Sequence, residues 1–376
     1  MTTTRRTAAT AAEWLRQGRR VVAALLVGIE GSAPLEPGAL MLIAEDGAIE
    51  GSITGGCVEA AVVGEAQAVL AGAGARTVSY GFSDELAGSV GLTCGGAVDV
   101  FVHELAGADA RVEADARDAV AAGRPVAVAT LLDGGLAGRK LALIDGEAVG
   151  GFGGPELLDR SVRRDAEGML SRGRSGVRRY AADGAVLGAE VGVHVHAFAP
   201  PPRMLIFGAI DFAAALARLA SQLDYEVTIA DPRAPFLETP RFRRAARTLV
   251  VWPEEAFAQL DFGPRDAVLV FTHDSKFDQP ALLGALDTGA GYIGALGSRR
   301  TTADRERRLR ESGVEEAVLA RIHAPCGLDI GAATPEEVAI SVLAEVIATR
   351  SGRAGAPLRE GSGAIHPREP VPLLSR

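Results

Sequence analysis

The spacing of apolar positions switches between a helical and an extended period along the chain, and the switches mark its elements. Thr10 followed by Glu13 is a capping-box signature, which predicts a short amphipathic helix ending near Gly18. The unbroken apolar run 21–27 predicts a buried strand, and 40–44 predicts another after a Pro/Gly loop. Residues 58–71 carry a helical pattern, and 97–103 predict a further strand.

The stretch that follows reads as a faded copy of the first. Residues 125–132 match the strand at 21–27, and 140–144 match 40–43. Gly150-Gly151-Phe152-Gly153-Gly154 matches Gly51-Ser52-Ile53-Thr54-Gly55-Gly56 with one residue dropped, and 193–196 match 98–101. Four elements recurring in order predict an internal duplication, with halves at about 20–105 and 124–198. In the copy Pro155 stands where Cys57 stands, and Cys94 has no visible counterpart.

Ala199-Pro200-Pro201-Pro202 is a stiff linker and marks a boundary between an α/β domain over 1–198 and a second domain over 203–350. Beyond it, apolar runs at 204–207, 227–230, 248–251, 267–271 and 292–295 alternate with helical patterns at 212–223, 279–287, 302–312 and 335–349. That order predicts a Rossmann-like, doubly wound parallel sheet, so the fold class is α/β. Residues 351–376 are rich in Gly, Pro and Arg without apolar periodicity, which predicts a disordered tail.

Composition narrows the partners. With 48% hydrophobic and 23% charged residues the chain can bury a sizeable core. A net charge of −9 argues against nucleic acid as the main partner. Three widely spaced cysteines make no disulfide framework and suit a reducing cytoplasm. Arg5 and Arg6 have no apolar stretch behind them, and no apolar run is long enough to span a bilayer. The expectation is a soluble, cytoplasmic protein with no membrane partner.

The candidate chemistry begins with two thiols. Cys57 lies in Thr54-Gly55-Gly56-Cys57-Val58-Glu59, and Cys94 in Gly91-Leu92-Thr93-Cys94-Gly95-Gly96. Neighbouring glycines leave each sulfur little side-chain cover, whereas a core cysteine normally sits among bulky apolar residues. In the second domain, Gly208-Ala209-Ile210-Asp211 occupies the first strand-to-helix turn and Asp231 ends the next strand, as in a dinucleotide fold. Ile210, however, replaces the middle glycine, and its Cβ obstructs the approach of a pyrophosphate. Asp211 reads as a helix N-cap or as an acid facing the cleft, and the second role would repel a phosphate.

Three further segments follow strands or a loop. Thr272-His273-Asp274-Ser275-Lys276-Phe277-Asp278 places His, Lys and two Asp at a strand's carboxyl end, where open α/β sheets bind ligands. Gly294-Ala295-Leu296-Gly297-Ser298-Arg299-Arg300 joins small residues to two guanidinium groups, an arrangement suited to a phosphate. Thr334-Pro335-Glu336-Glu337 is a strong helix start. Cys326 reads as a packed core thiol, with His323 and Cys326 lacking a second ligand pair for a metal. His194 and His196 alternate along a strand without a third ligand nearby. The G-x-S-x-G pattern and a P-loop are both absent.

Gly31-Ser32-Ala33-Pro34, the segment Gly51 to Glu59 and the segment Gly91 to Gly96 resemble the N-terminal domain of the XdhC/CoxI family. The segments Thr272 to Asp278, Gly294 to Thr301, Gly327 to Gly331 and Thr334 to Glu337 resemble its C-terminal Rossmann domain. The resemblance covers roughly residues 20–350. It departs at Gly208-Ala209-Ile210-Asp211, where many relatives carry Gly-Ala-Gly-His, and at Cys326, where relatives tend to be aliphatic.

The resemblance implies an accessory chaperone with no turnover of its own. Such a protein binds molybdenum cofactor (molybdopterin), protects it during sulfuration, and inserts it into a xanthine dehydrogenase-type or CO dehydrogenase-type molybdenum hydroxylase. The implied partners are that client and a cysteine desulfurase as sulfur donor, and a dimeric client would suit a homodimer. On this basis Cys57, Glu59 and Cys94 are expected at the cofactor's metal end, with Cys57 and Cys94 as metal ligands. Gly208, Asp211, Asp231, His273, Asp274, Lys276, Ser298, Arg299 and Arg300 are expected at its pterin or phosphate end. Two alternatives stay open: an NAD(P)-dependent oxidoreductase and a thiol-based sulfur relay.

Overall fold

The computed structural model describes residues 3–30, 35, 37–56, 58–81, 97–185, 187–243, 246–272 and 274–360. The chain divides between Pro200 and Pro201 into two compact units.

The first unit opens with helix α1 (Thr3–Arg16). It starts seven residues before the expected cap at Thr10, so Thr10 and Glu13 lie inside it. Alanine-rich sequence carries the helix through that position. Its inward face explains the extension, since Ala11, Trp14 and Leu15 pack with Val21, Leu42 and Leu105. Glu13 pairs instead with Arg16 at 2.7 Å.

Strands β1 (Val21–Glu30), β2 (Leu40–Ala44) and β3 (Ile49–Gly51) come next, then helix α2 (Glu59–Ala68), β4 (Arg76–Tyr80) and β5 (Ala97–Leu105). They form an antiparallel sheet in the order β3-β2-β1-β5-β4. Helix α3 (Gly107–Ala121) leads to β6 (Val126–Leu131), β7 (Lys140–Ile144), β8 (Glu147–Gly150), α4 (Glu156–Arg172), β9 (Gly176–Tyr180) and β10 (Val191–Phe198). These strands repeat the arrangement as β8-β7-β6-β10-β9, again antiparallel throughout. Packing repeats as well. Val62 and Ala66 of α2 bury against Val22, Met41 and Ile53. Val162 and Ala166 of α4 bury against Ala127, Leu141 and Phe152. Each valine or larger aliphatic side chain contributes about 1.5–3 kcal/mol when fully buried.

The second unit is a βα alternation: β11 (Arg203–Phe207), α5 (Asp211–Gln222), β12 (Glu226–Ala230), α6 (Ala234–Leu237), α7 (Pro240–Arg243), β13 (Arg247–Leu249), α8 (Pro253–Phe257) and β14 (Ala267–Val270). It continues with α9 (Ser275–Leu286), β15 (Tyr292–Ala295), α10 (Arg299–Glu311), α11 (Glu316–Leu319), β16 (Ile322–His323) and α12 (Pro335–Ser351). The six strands are parallel, in the order β13-β12-β11-β14-β15-β16. Strand order reverses between β11 and β14, which is the switch point where such sheets bind ligands. Successive residues serve opposite faces: Met204 and Ile206 join α5 and α12, while Leu205 and Phe207 join α9.

Helix starts shift where a cap was missed. Asp274 accepts the N–H of Lys276 at 3.1 Å, so α9 begins at Ser275. Ser298 accepts the N–H of Thr301 at 3.1 Å, which places Arg299 and Arg300 in the first turn of α10. At Thr334 the expected capping box forms, with Glu337 accepting the Thr334 N–H at 2.9 Å. Helix α12 extends into the expected tail, residues 352–360 are exposed, and 361–376 lie outside the described residues. Among the described residues no helix is long and apolar enough to cross a membrane.

Candidate functional site

The cysteine turn of the first unit is built around one carboxylate. Glu59 opens α2, and its Oε1 accepts from Ser52 Oγ at 2.7 Å, Ile53 N at 3.2 Å and Thr54 N at 2.9 Å. Its Oε2 accepts from Thr54 Oγ1 at 2.9 Å, Gly56 N at 2.9 Å and Val58 N at 3.1 Å. Burial raises the carboxyl's pKa, but the Ser52 and Thr54 hydrogen bonds outweigh it and hold it at about 2. Both oxygens are thus occupied by the loop, and Glu59 positions the turn. Gly55 at φ +79° and Gly56 at φ +125° are exposed, and nothing stands where their Cβ atoms would be. A side chain at either position would be strained. Cys57 itself, Cys94 with its glycines, and residues 31–34 lie outside the described residues. In the second half Asp159 takes a similar part, accepting the Phe152 N–H at 3.2 Å.

Beside this turn, within the same unit, lies a cavity of about 610 Å³. Gly38, Ser52 and Gly55 line it from the first half of the unit, and Arg117, His196 and Phe198 from the second. The Arg117 guanidinium sits 4.7 Å over the Phe198 ring and is 4% exposed. It pairs with buried Glu113, which also meets the buried Lys140 Nζ at 3.0 Å. Lys140 in turn donates to Thr130 at 2.9 Å. Burial raises the Glu113 carboxyl's pKa, yet Arg117 and Lys140 drive it far down.

Three histidines surround this network. His194 has no hydrogen-bond partner for either ring nitrogen, nor has His103, and His196 Nδ1 is likewise bare. Burial, aided by Lys140, holds His194 at about 3 and pushes His103 and His196 well below the ordinary range. They are neutral at pH 7. His194 and His196 do point the same way, with ring centroids 6.0 Å apart. No cluster of three His, Cys, Asp or Glu suited to a metal occurs among the described residues.

The strand ends of the second unit carry the remaining candidates, and several are engaged differently from expectation. A Cβ on Gly208 would lie 3.1 Å from the Phe271 carbonyl carbon and 3.1 Å from Thr272 Cγ2, so neighbouring chain already requires glycine there. The N-cap of α5 is Ile210, and Asp211 is its first residue, ion-paired with Arg241. Asp231 is 1% exposed and accepts from Ala209 N at 2.9 Å and from Arg233 Nε at 2.9 Å and Nη2 at 2.8 Å. Burial raises its pKa, but the Arg233 hydrogen bonds leave it lowered. The Asp231 carboxylate, expected at the cofactor's pterin or phosphate end, is thus already bound by a guanidinium.

Asp274 and Lys276 are exposed at the start of α9, and His273 lies outside the described residues. Asp278 does not converge with them. It is buried and faces Arg305 at 3.2 Å and Arg308 at 3.4 Å. Ser298 lines a cavity of about 540 Å³ with Phe212, Thr301 and Val338. Arg299 and Arg300 stand exposed beside it, in a helix turn that has no acidic residue. Cys326 is buried, and burial pushes its thiol up to about 12. His323 is a satisfied histidine, 3.3 Å from Glu345 and stacked on Tyr292 at 4.6 Å between centroids.

Sequence reasoning missed Arg117, Phe198 and Arg233. Arg117 lies on a helix between the two halves, and only the alternation of His194, His196 and Phe198 along β10 hinted that one face of that strand is special.

A model described as the XdhC Rossmann domain matches residues 204–346, and one described as the XdhC and CoxI family matches 14–81. The chain belongs to the XdhC and CoxI family. It is similar to a protein of Bacillus subtilis (strain 168) named as a probable xanthine dehydrogenase subunit, at 28% identity over 89% of this chain and 95% of that protein. It is also similar to the molybdenum cofactor insertion chaperone PaoD of Escherichia coli (strain K12), at 29% identity over 90% of this chain and 86% of that one. Among solved structures, one described as a xanthine dehydrogenase from Bacillus halodurans superposes with a TM-score of 0.60 at 26% identity, covering 93% of this chain and 98% of that one.

Proposed function

We propose that this protein is an accessory chaperone that binds molybdenum cofactor and assists its sulfuration and insertion into a xanthine dehydrogenase/CO dehydrogenase-type hydroxylase. One observation supports this reading most directly: the 610 Å³ cavity at the cysteine turn. Its size lies within the range of small-molecule sites. Its wall carries the chemistry a planar, anionic cargo needs, with a buried guanidinium at Arg117, an aromatic face at Phe198 and a neutral imidazole at His196. Family membership and the similarity to a named insertion chaperone point the same way.

In this reading Cys57 and Cys94 serve the metal end, because thiolates suit soft metal centres. Glu59 fixes the backbone N–H groups of Gly56 and Val58, on either side of Cys57. In the second unit, Ser298, Arg299 and Arg300 offer the hydroxyl and guanidinium donors that suit a phosphate. The sulfur donor would be a cysteine desulfurase, and the client a molybdenum hydroxylase. An NAD(P)-dependent oxidoreductase finds less support, since Ile210 caps α5 and Arg233 holds Asp231. The test is metal and pterin analysis of freshly purified wild type beside Cys57→Ala and Cys94→Ala, followed by transfer to a cofactor-free hydroxylase. The reading expects molybdenum and pterin in wild type, and loss of retention or delivery in the variants. Variants that retain and deliver as well as wild type would sink the thiol assignment, and a wild type free of pterin would sink the whole reading.

A further inference from the structure

Helix α12 carries an apolar face that its own unit leaves exposed. Its inner side is accounted for, since Ala339, Val342, Leu343 and Val346 pack with Met204, Ile206 and Leu216. Yet Ile340 is 52% exposed and Ile347 41%. These two lie close to two whole turns apart, with half-buried Ala344 between them, so the three form one outward stripe. Apolar residues thus ring this helix, whereas a helix packed on one side only keeps its outer face polar. The Leu328 N–H donates to the Ser341 carbonyl at 3.2 Å, which lays that segment beside α12, and Ile330 there is 55% exposed. Exposed isoleucines gathered on one face mark an interaction surface, where scattered single ones would not.

We infer that the stripe pairs with the α12 of a second copy of this chain, the two helices running antiparallel about a two-fold axis beside Leu343 and Ala344. Charge selects that occupant. Glu336 and Arg350 are exposed and close to four whole turns apart, so they share one flank of the stripe, one near each end of the helix. Arg218 of α5 pairs with Glu336 at 2.8 Å and holds it on that flank without covering it, since the Glu336 side chain stays 61% exposed. In an antiparallel pair, a residue ahead of the centre faces one as far behind it. Ile340 then meets Ile347 of the second copy, and about the same centre Glu336 meets its Arg350. The face is therefore complementary to itself, as a closed two-fold contact requires. A parallel pair would instead set Glu336 against Glu336 and Arg350 against Arg350, which repel. Ala344, the smallest side chain of the stripe, sits at the crossing and lets the helices approach. One helix pair stands at the small end of interfaces, so the dimer is a weak, concentration-dependent one. The surface belongs to the second unit alone, and the inference does not depend on the chaperone reading.

Sedimentation equilibrium of the full-length protein over a range of concentrations reads the association. Wild type is expected to show a reversible monomer–dimer equilibrium. Ile340→Glu and Ile347→Glu should each weaken the dimer by about tenfold or more. Both positions face solvent in the single chain, so melting of the dilute protein should hardly change. Glu336→Arg should also weaken the dimer, by setting arginines face to face, and adding Arg350→Glu should restore it. Both charge changes oppose the helix dipole, so recovery in the double variant does not come from a steadier helix. A wild type that stays monomeric at every concentration overturns the inference, even if the face then binds another protein. A dimer untouched by both isoleucine variants overturns it too, since its interface lies elsewhere. So does a double variant no better than Glu336→Arg alone.

Discussion

The carboxylate of Glu59 accepts the backbone N–H of Gly56 at 2.9 Å, which ties the residue before Cys57 to the first turn of α2. Glu59→Gln keeps the shape but turns an amide NH₂ toward groups that are themselves donors. We expect it to destabilise the protein by about 1–3 kcal/mol. Urea denaturation measures that loss. The labelling rate of Cys57 should rise as its turn loosens, and an unchanged rate would separate the turn from the carboxylate.

The buried histidines predict an acid-sensitive fold. His103, His194 and His196 are neutral when folded, held so by burial with Lys140 or Arg117 nearby, while Glu113 opposes at His103 and His196. Their folded pKa values lie below the unfolded value of about 6.5, so the unfolded chain binds more protons below that pH. Stability is therefore full above about pH 6.5 and falls as the pH drops, by up to about 1.4 kcal/mol per pH unit for each histidine. His194→Leu should flatten the slope measured by denaturation between about pH 7 and pH 5 by one histidine's share. An unaltered slope would show that His194 titrates normally.

Arg299 and Arg300 oppose the dipole of the helix they begin. Replacing both with Gln should stabilise the protein by about 0.3–1 kcal/mol per residue. The same change should weaken retention of a phosphate-bearing cofactor. A gain in melting temperature with a loss of bound pterin is the expected pair of results. Retention equal to wild type would remove both residues from the binding site.

Gly208→Ala tests whether that glycine serves packing. Its φ of +110° and the 3.1 Å approach of Phe271 both penalise a Cβ. A loss of about 1–3 kcal/mol is expected in urea denaturation without any ligand. A loss seen only when ligand is added would instead assign the glycine to ligand approach.

The parallel sheet was legible because its central strands are buried on both faces and read as unbroken apolar runs, as at Met204 to Phe207. Four recurring elements suggested a duplication, and the two antiparallel sheets share one strand order. Strands such as β4 and β9 were not seen, since Arg76 to Tyr80 and Gly176 to Tyr180 carry partly exposed residues without a strong period. The side-chain alliances were illegible for another reason. Asp231 with Arg233, Asp278 with Arg305, and Glu345 with His323 depend on which way side chains turn, and spacing cannot report that. Arg117 escaped notice because its cavity exists only once the two halves are packed together.

The repeated sheet also has a consequence for how the chain reaches its native state. In each half the central strand must wait for a distant partner: Val21 meets Leu105 across one sheet, and Val126 meets Phe198 across the other. Such remote pairings form late. Until then the chain holds two central strands, β1 and β6, of equal topology, each able in principle to capture the other's mate. Misassembly of this kind is a characteristic hazard of repeated architectures. The divergence of the two halves, with Ile53 against Phe152 and Met41 against Leu141 in their cores, makes the swapped cores fit poorly. What looks like decay of a duplicated sequence thereby keeps each strand with its own sheet.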